Sequence, residues 1–117
     1  MGTVYPDNAE YNKIVRDKIP EIVTAKGLTV ETRELSDEEI LKELYKKIVE
    51  EAVELSSADN KADIINEIAD VLEVLYSLSE RNGITLDEIE ETRLLKAEKR
   101  GSFKKGVFVI RTYREEK

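Results

Sequence analysis

The chain contains no cysteine and no histidine. Without cysteine it forms no disulfide and no thiolate zinc site, and it has no cysteine nucleophile. Without histidine it lacks the commonest general base and cannot build a serine–histidine triad. Any catalysis by this protein must therefore use carboxylates, lysines, hydroxyl groups or a metal ion.

Two further absences restrict the partners of the protein. Its 117 residues include 19 basic and 26 acidic side chains, so no basic excess is present to replace the counterions of a nucleic-acid polymer. No apolar run approaches the ~20 residues of a membrane span, and the N-terminus lacks the basic start and apolar stretch of a signal peptide. We expect a soluble, cytoplasmic protein that binds neither nucleic acid polymers nor membranes. The charge does not exclude a nucleotide substrate.

Capping and stop signals predict where the helices lie. Residues 1–10 are predicted to form a loose leader, and a short helix with Pro20 in its first turn is predicted to end at Gly27. Ser36 and Thr85 each begin a capping box, and these boxes predict helices that reach about residues 56 and 100. Another long helix is predicted over about residues 62–82.

Two short segments have strand-like patterns. Residues 28–35 alternate threonine and charged residues with apolar ones, and residues 107–110 are uniformly apolar. We expect a single, mainly α domain over residues 1–117, in which antiparallel long helices form a bundle beside a small two-stranded β accessory.

Acidic residues on the two central helices are the most informative feature. Glu50, Glu51 and Glu54 form an E-E-x-x-E motif, and Glu67 and Asp70 form an E-x-x-D motif on the next helix. Spacings of three and four residues place side chains on one helical face. Two long helices joined by a short linker are expected to pack antiparallel, which brings the end of one motif to the start of the other.

Of these carboxylates, Glu51 and Glu67 are predicted to point toward a core, whereas Glu54 and Asp70 lie at its edge and Glu50 lies further out. At ~100° per residue, the apolar residues of the first long helix fill an arc of roughly 120°, and Glu51 points into it. Glu67 falls within the apolar stripe of the next helix, which consists of Ile64, Ile68, Val71, Leu72, Val74, Leu75 and Leu78. Each pair of like charges at ~5 Å costs on the order of 3 kcal/mol at a dielectric of ~20. Such a cluster needs a cation or shared protons, and Mg²⁺, with Mn²⁺ as a substitute, is the simplest cation.

Basic residues on the last helix allow two interpretations. Arg93, Lys96 and Arg100 follow the spacing of one helical face. They either reach phosphates or the carboxylates, or they stabilise the helix C-terminus through its dipole and local salt bridges. The second interpretation is favoured for Arg93, and both stay open for the other two residues.

The paired acidic motifs resemble the MazG-type all-α nucleoside triphosphate pyrophosphohydrolases, a superfamily that includes phosphoribosyl-ATP pyrophosphohydrolase. Residues 11–20, Y-N-K-I-V-R-D-K-I-P, and residues 99–103, K-R-G-S-F, strengthen the resemblance, which covers roughly residues 11–110. It implies Mg²⁺ held by Glu51, Glu54, Glu67 and Asp70, with Glu50 beside them, and cleavage between the α- and β-phosphates. It also implies phosphate contacts from basic residues, for which our candidates are Arg16, Lys96, Lys99 and Arg100.

The sequence therefore leads to a functional hypothesis with alternatives. We expect a Mg²⁺-dependent enzyme that converts a nucleoside triphosphate to monophosphate and pyrophosphate in the house-cleaning of non-canonical nucleotides, with Glu50 or Glu54 as the base. The alternatives are phosphoribosyl-ATP hydrolysis and a catalytically silent nucleotide- or metal-binding module. A homodimer or higher homo-oligomer is expected because apolar residues widen the helical stripes, namely Leu41, Val49, Ile65, Ala69, Tyr76 and Leu95.

Overall fold

The computed structural model describes residues 10–116, which form a mainly α-helical structure of four helices. These are α1 (Ile19–Ala25), α2 (Asp37–Ser56), α3 (Lys61–Arg81) and α4 (Leu86–Arg100). One compact unit ends at Ile84 and contains α1 to α3, and a second begins at Thr85 and contains α4. Except for Glu10, the predicted leader lies outside the described residues, and the single-domain interpretation stays a prediction.

Side-chain caps explain where the long helices begin. Ser36 accepts a hydrogen bond from the backbone of Glu39, whose carboxylate accepts one from the Ser36 backbone, and Thr85 forms the same reciprocal pair with Glu88. Asn60 caps α3 by accepting from the backbone of Asp63. Because these caps satisfy N–H groups that the helix itself leaves unpaired, they fix the helix starts. The predicted helices are confirmed, with ends that differ by one or two residues.

The predicted two-stranded β accessory is wrong. Neither residues 28–35 nor residues 107–110 form a strand, and the described part of the chain contains none. An isolated pair of short strands is marginally stable in water unless a third strand or a helix covers its apolar face. Residues 107–110 have no such cover, since their side chains are 69–87% exposed. The β-branched composition of both segments was therefore insufficient to form strands.

The first unit is organised around the contact between α2 and α3. The linker between them covers only residues 57–60, so the helices form a hairpin. The buried apolar side chains of the first unit are Val23 from α1, Leu44 from α2 and Val74 from α3. This hairpin places the C-terminal part of α2 beside the N-terminal part of α3.

Much of the apolar stripe predicted on α3 is not covered by the described residues of the first unit. Ile64, Ile68, Leu72 and Leu75 remain 38–44% exposed. In the first unit only α2 and the short helix α1 are available to pack on α3, and together they present too little apolar surface to bury both of its sides. None of the helices in residues 10–116 is both long enough and apolar enough to cross a membrane.

Candidate functional site

The hairpin brings three carboxylates together, which we call the inner carboxylates. Glu51 and Glu54 lie near the end of α2, and Glu67 lies in the second turn of α3. Each offers one oxygen, and these oxygens lie within 4.8 Å of one another. Oxygen-only ligand sets of this kind suit hard divalent cations.

Glu51 is the most deeply buried of the charged side chains that the structure describes, with a relative exposure of 6%. Burial and the neighbouring charges of Glu54 and Asp70 raise its pKa from 4.5 to about 7. Lys47 opposes this shift, because its Nζ lies 3.7 Å from Oε1 of Glu51. Even with that cation nearby, Glu51 is unfavourable in its ionised form at neutral pH.

The same conflict affects Glu67. Burial, the charges of Glu54 and Asp70, and a hydrogen bond with Glu54 raise the pKa of Glu67. Among residues 10–116, the buried Oε2 atoms of Glu51 and Glu67 have no hydrogen-bond partner. Buried oxygens without partners are rare in folded proteins, and each calls for a proton, an ion or water at the site.

The end of α2 increases the demand for positive charge. A helix C-terminus carries a partial negative charge, which basic residues in the last turn usually offset. The last turn of α2 contains no basic residue, and it includes the acidic Glu54. The helix dipole therefore acts against the carboxylates of this helix and favours a cation beside them.

Two further acidic side chains, the outer carboxylates Glu50 and Asp70, have cationic partners from the N-terminal segment. Nη2 of Arg16 lies 2.7 Å from Oδ1 of Asp70. Nζ of Lys13 lies 3.0 Å from Oε1 of Glu50, and Nζ of Lys47 lies 3.5 Å from the same oxygen. The five predicted acidic positions thus divide into three that share a space, of which Glu51 also has Lys47 beside it, and two that pair with cations of the N-terminal segment.

The ion pairs change the acidity of Glu50. Burial acts to raise its pKa, but the hydrogen bond from Lys13 and the charges of Lys47 and Lys13 outweigh burial and lower it. An efficient general base has a pKa near the working pH. Glu50 is therefore poorly suited to accept a proton, although it was one of two candidates for that role.

A cavity of about 290 Å³ adjoins the inner carboxylates. Glu54 and Glu67 belong to its wall, which otherwise consists of Val53, Ser57, Ala58 and Asp63. The volume is close to the lower limit of small-molecule pockets, ~300 Å³. It provides room for at least part of a nucleotide.

The predicted basic residues of α4 belong to the second unit. Lys96, Lys99 and Arg100 lie in the last two turns of α4 and are exposed. Arg93 donates hydrogen bonds to both oxygens of Glu90 on the same helix. The local salt-bridge interpretation of Arg93 is thereby confirmed, and the phosphate contacts of the other three residues stay a prediction.

Sequence reasoning overlooked two cations. Lys47 precedes Glu50 and Glu51 by three and four residues on α2, so helical spacing alone predicts its contact with them. Lys13 is separated from Glu50 by 37 residues and lies outside any helix, so no local pattern indicates that pair.

Comparison with known proteins adds a family match. The sequence profile described as phosphoribosyl-ATP pyrophosphohydrolase, PRA-PH, matches residues 13–93, which include both acidic motifs. An uncharacterized protein of Mycolicibacterium smegmatis is 45% identical over 49 residues, a stretch that covers 42% of this chain and 50% of that protein. The chain thus spans about half the length of the curated relative that it matches. No solved structure matches it.

Proposed function

This chain belongs to the phosphoribosyl-ATP pyrophosphohydrolase family, and from that premise we propose that it is a divalent-cation-dependent nucleotide pyrophosphohydrolase. Its reaction is hydrolysis of a nucleoside triphosphate between the α- and β-phosphates, which yields the monophosphate and pyrophosphate. The observation that carries this proposal is the meeting of Glu51, Glu54 and Glu67 around a space that adjoins a cavity. We further propose a cytoplasmic house-cleaning role against non-canonical nucleotides.

The inner carboxylates fit a divalent cation. Two of their buried oxygens have no partner among residues 10–116, and a pKa of about 7 for Glu51 indicates that its charge lacks compensation. We propose Glu51, Glu54, Glu67 and Asp70 as the ligands, with Mg²⁺ as the ion and Mn²⁺ as a substitute. When bound, this ion supplies charge neutralisation at phosphate oxygens and a lowered pKa for coordinated water.

The remaining chemistry falls to the side chains of the chain. A water oxygen attacks the α-phosphorus, the bond from that phosphorus to the bridging oxygen breaks, and pyrophosphate departs with the bond electrons. Glu54 belongs both to the inner carboxylates and to the cavity wall. Of the two predicted bases, Glu50 and Glu54, it is therefore the one placed to orient the attacking water and to accept its proton.

Glu50 serves a different purpose in this proposal. Its two lysine partners keep it ionised, so it positions Lys13 and Lys47 rather than accepting a proton. Because Lys47 also lies near Glu51, Glu50 influences the inner carboxylates through that shared cation. The role of the base is assigned to Glu54 alone.

Phosphate contacts are proposed for Arg16 and for the α4 residues Lys96, Lys99 and Arg100. The guanidinium of Arg16 lies on Asp70, beside the inner carboxylates. A guanidinium presents paired donors that fit a phosphate as well as a carboxylate. The α4 residues are proposed because the end of that helix carries Lys99 and Arg100 in its last turn.

A second copy of the chain is proposed as the cover for the exposed apolar side chains of α2 and α3. Val49, Ile65 and Tyr76 are 46–63% exposed, and the α3 stripe continues this surface. Exposed apolar patches of this extent typically mark interfaces, and helix hairpins complete their cores by pairing. We propose a homodimer or a higher homo-oligomer on this basis.

Pyrophosphate release from a substrate panel tests the proposed activity. The panel contains canonical and damaged nucleoside triphosphates together with phosphoribosyl-ATP, which the family match makes the second candidate substrate. Each is incubated with Mg²⁺ or with EDTA, and phosphorus NMR identifies the products. We expect pyrophosphate and a monophosphate only when Mg²⁺ is present.

The other outcomes discriminate between the alternatives. Preferred cleavage of phosphoribosyl-ATP would replace the house-cleaning role with that reaction. Release of single orthophosphate would contradict cleavage at the α-phosphate. Silence across the panel from folded protein that still binds nucleotide would favour a binding module.

A further inference from the structure

The N-terminal segment of residues 11–18, which we call the basic strap, lies against the outer carboxylates. It forms neither helix nor strand, and it leads directly into α1. Its apolar residues Ile14 and Val15 are half-buried, while Lys13 and Arg16 reach Glu50 and Asp70. The strap thus places two cations beside a group of carboxylates that carries excess negative charge.

Arg16 combines a fixed backbone with an exposed head group. Its carbonyl accepts a hydrogen bond from the Ile19 backbone at 3.0 Å, at the start of α1. Its side chain is nevertheless 57% exposed, although the guanidinium contacts Asp70 at 2.7 Å. Exposed ion pairs contribute little to stability, so this guanidinium can leave its carboxylate at small cost.

Asp70 connects that ion pair to the inner carboxylates. It follows Glu67 by three residues on α3, so the two carboxylates lie on the same helical face, and its charge acts on both Glu51 and Glu67. A cation at the inner carboxylates and the Arg16 guanidinium therefore compete for the negative charge of Asp70. A guanidinium released from a carboxylate fits the oxygens of a phosphate equally well.

We propose that Arg16 is an exchangeable counter-ion, which neutralises Asp70 before a divalent cation binds and transfers to substrate phosphate afterwards. Arg16 is then a positioning residue that weakens binding of the bare cation and strengthens binding of the cation together with phosphate. Lys13 likewise neutralises Glu50 before the cation binds. Its effect is weaker, because Glu50 keeps a second cation, Lys47, at 3.5 Å when Lys13 leaves. This inference rests on the proposed cation site.

The test measures Mn²⁺ binding without substrate, by electron paramagnetic resonance of the free ion. We expect Arg16→Met to bind Mn²⁺ about five- to tenfold more tightly than the native protein, at the low end of typical coupling between sites. Lys13→Met, a second variant, should show a smaller gain. In an Asp70→Asn background the gain from Arg16→Met should disappear, since the competing carboxylate is gone.

Arg33→Met is the matched control. Arg33 pairs with Glu39 at 2.9 Å in the same compact unit, and Glu39 lies about 18 Å before Glu51 at ~1.5 Å per residue of helix. The substitution removes the same charge from a similar ion pair, so it reports the effect of net charge alone. Its Mn²⁺ affinity should equal that of the native protein.

A second arm measures inorganic triphosphate binding to the Mn²⁺-saturated proteins by calorimetry. Arg16→Met should bind triphosphate more weakly, and Arg16→Lys should recover part of the native affinity. If Arg16 had only a structural role, its replacement would weaken the binding of both Mn²⁺ and triphosphate. Opposite changes in the two affinities are therefore the signature of the exchange.

Several results would overturn the inference. In the first, the native protein binds Mn²⁺ and Arg16→Met binds it with equal or lower affinity. This result overturns the inference but leaves the proposed function intact. Another is an unchanged triphosphate affinity, which removes the exchange. Absence of Mn²⁺ binding to every variant and to the native protein would overturn the inference together with the cation site.

Discussion

Replacement of Glu51 by glutamine is expected to stabilise the metal-free protein at the expense of its function. Glutamine keeps the shape of the side chain and removes its charge. The pKa of Glu51 lies at about 7 against an ordinary value of 4.5. That difference corresponds to about 3 kcal/mol of unfavourable free energy in the native protein above pH 7.

The sign follows from proton binding. The native protein holds the Glu51 proton more tightly than the unfolded chain does. Glu51 therefore destabilises the native protein least below pH 4.5, where it is protonated in both states. Its unfavourable contribution grows as the pH rises from 4.5 to about 7. Glu51→Gln should therefore gain about 3 kcal/mol at pH 8, roughly 10 °C in Tm for a chain of this size, and about 1 kcal/mol or less at pH 5.

Urea unfolding in EDTA at pH 5 and pH 8 provides the measurement. The control is Glu43→Gln on the same helix, where Lys46 lies 3.1 Å from the Glu43 carboxylate. Loss of that surface ion pair should change stability by about 0–1 kcal/mol in the unfavourable direction. Addition of Mg²⁺ at one hundred times its Kd should stabilise the native protein by about 2.7 kcal/mol and stabilise Glu51→Gln by less. If Glu51→Gln were less stable than the native protein at pH 8 in EDTA, the charge of Glu51 would not be unfavourable in the native protein.

The other predictions concern catalysis, packing and assembly. Glu54→Gln should lower kcat for pyrophosphate release by at least about 100-fold, whereas Glu50→Gln should keep more than a tenth of the native rate; equal losses would contradict the separate roles of these carboxylates. Leu44→Ala should lower the free energy of unfolding in urea by about 2–3 kcal/mol, because it leaves a cavity in a small core, and a loss below ~1 kcal/mol would show that the site collapses. Ile65→Lys should convert the proposed homo-oligomer to a monomer in light scattering, and an unchanged oligomeric mass would place the interface elsewhere.

The elements that local chemistry determines were predictable from the sequence. Ser36 and Thr85 marked helix starts because a capping side chain acts within three residues of itself. The meeting of Glu51, Glu54 and Glu67 also followed from local rules. Helical spacing aligns each motif, and a short linker forces the two helices into a hairpin.

The features that depend on distant partners were not predictable. The strands expected at residues 28–35 and 107–110 failed because β-branched composition stabilises a strand only when a neighbour covers it. The ion pairs of Lys13 and Arg16 join residues that are 37 and 54 positions apart. Their formation depends on the path of the basic strap, which no periodicity specifies. For the same reason, Asp70 was predicted as a ligand without its arginine partner.

Anomalous diffraction would locate the proposed cation among the inner carboxylates. Crystals would be soaked with Mn²⁺ and a triphosphate whose α,β-bridge is a non-hydrolysable methylene group. We expect an anomalous peak in contact with oxygens of Glu51, Glu54 and Glu67, with phosphate oxygens on its open side. A peak remote from these carboxylates would contradict the proposed cation site. The absence of any peak, with Lys47 still the cation beside Glu51, would contradict it as well.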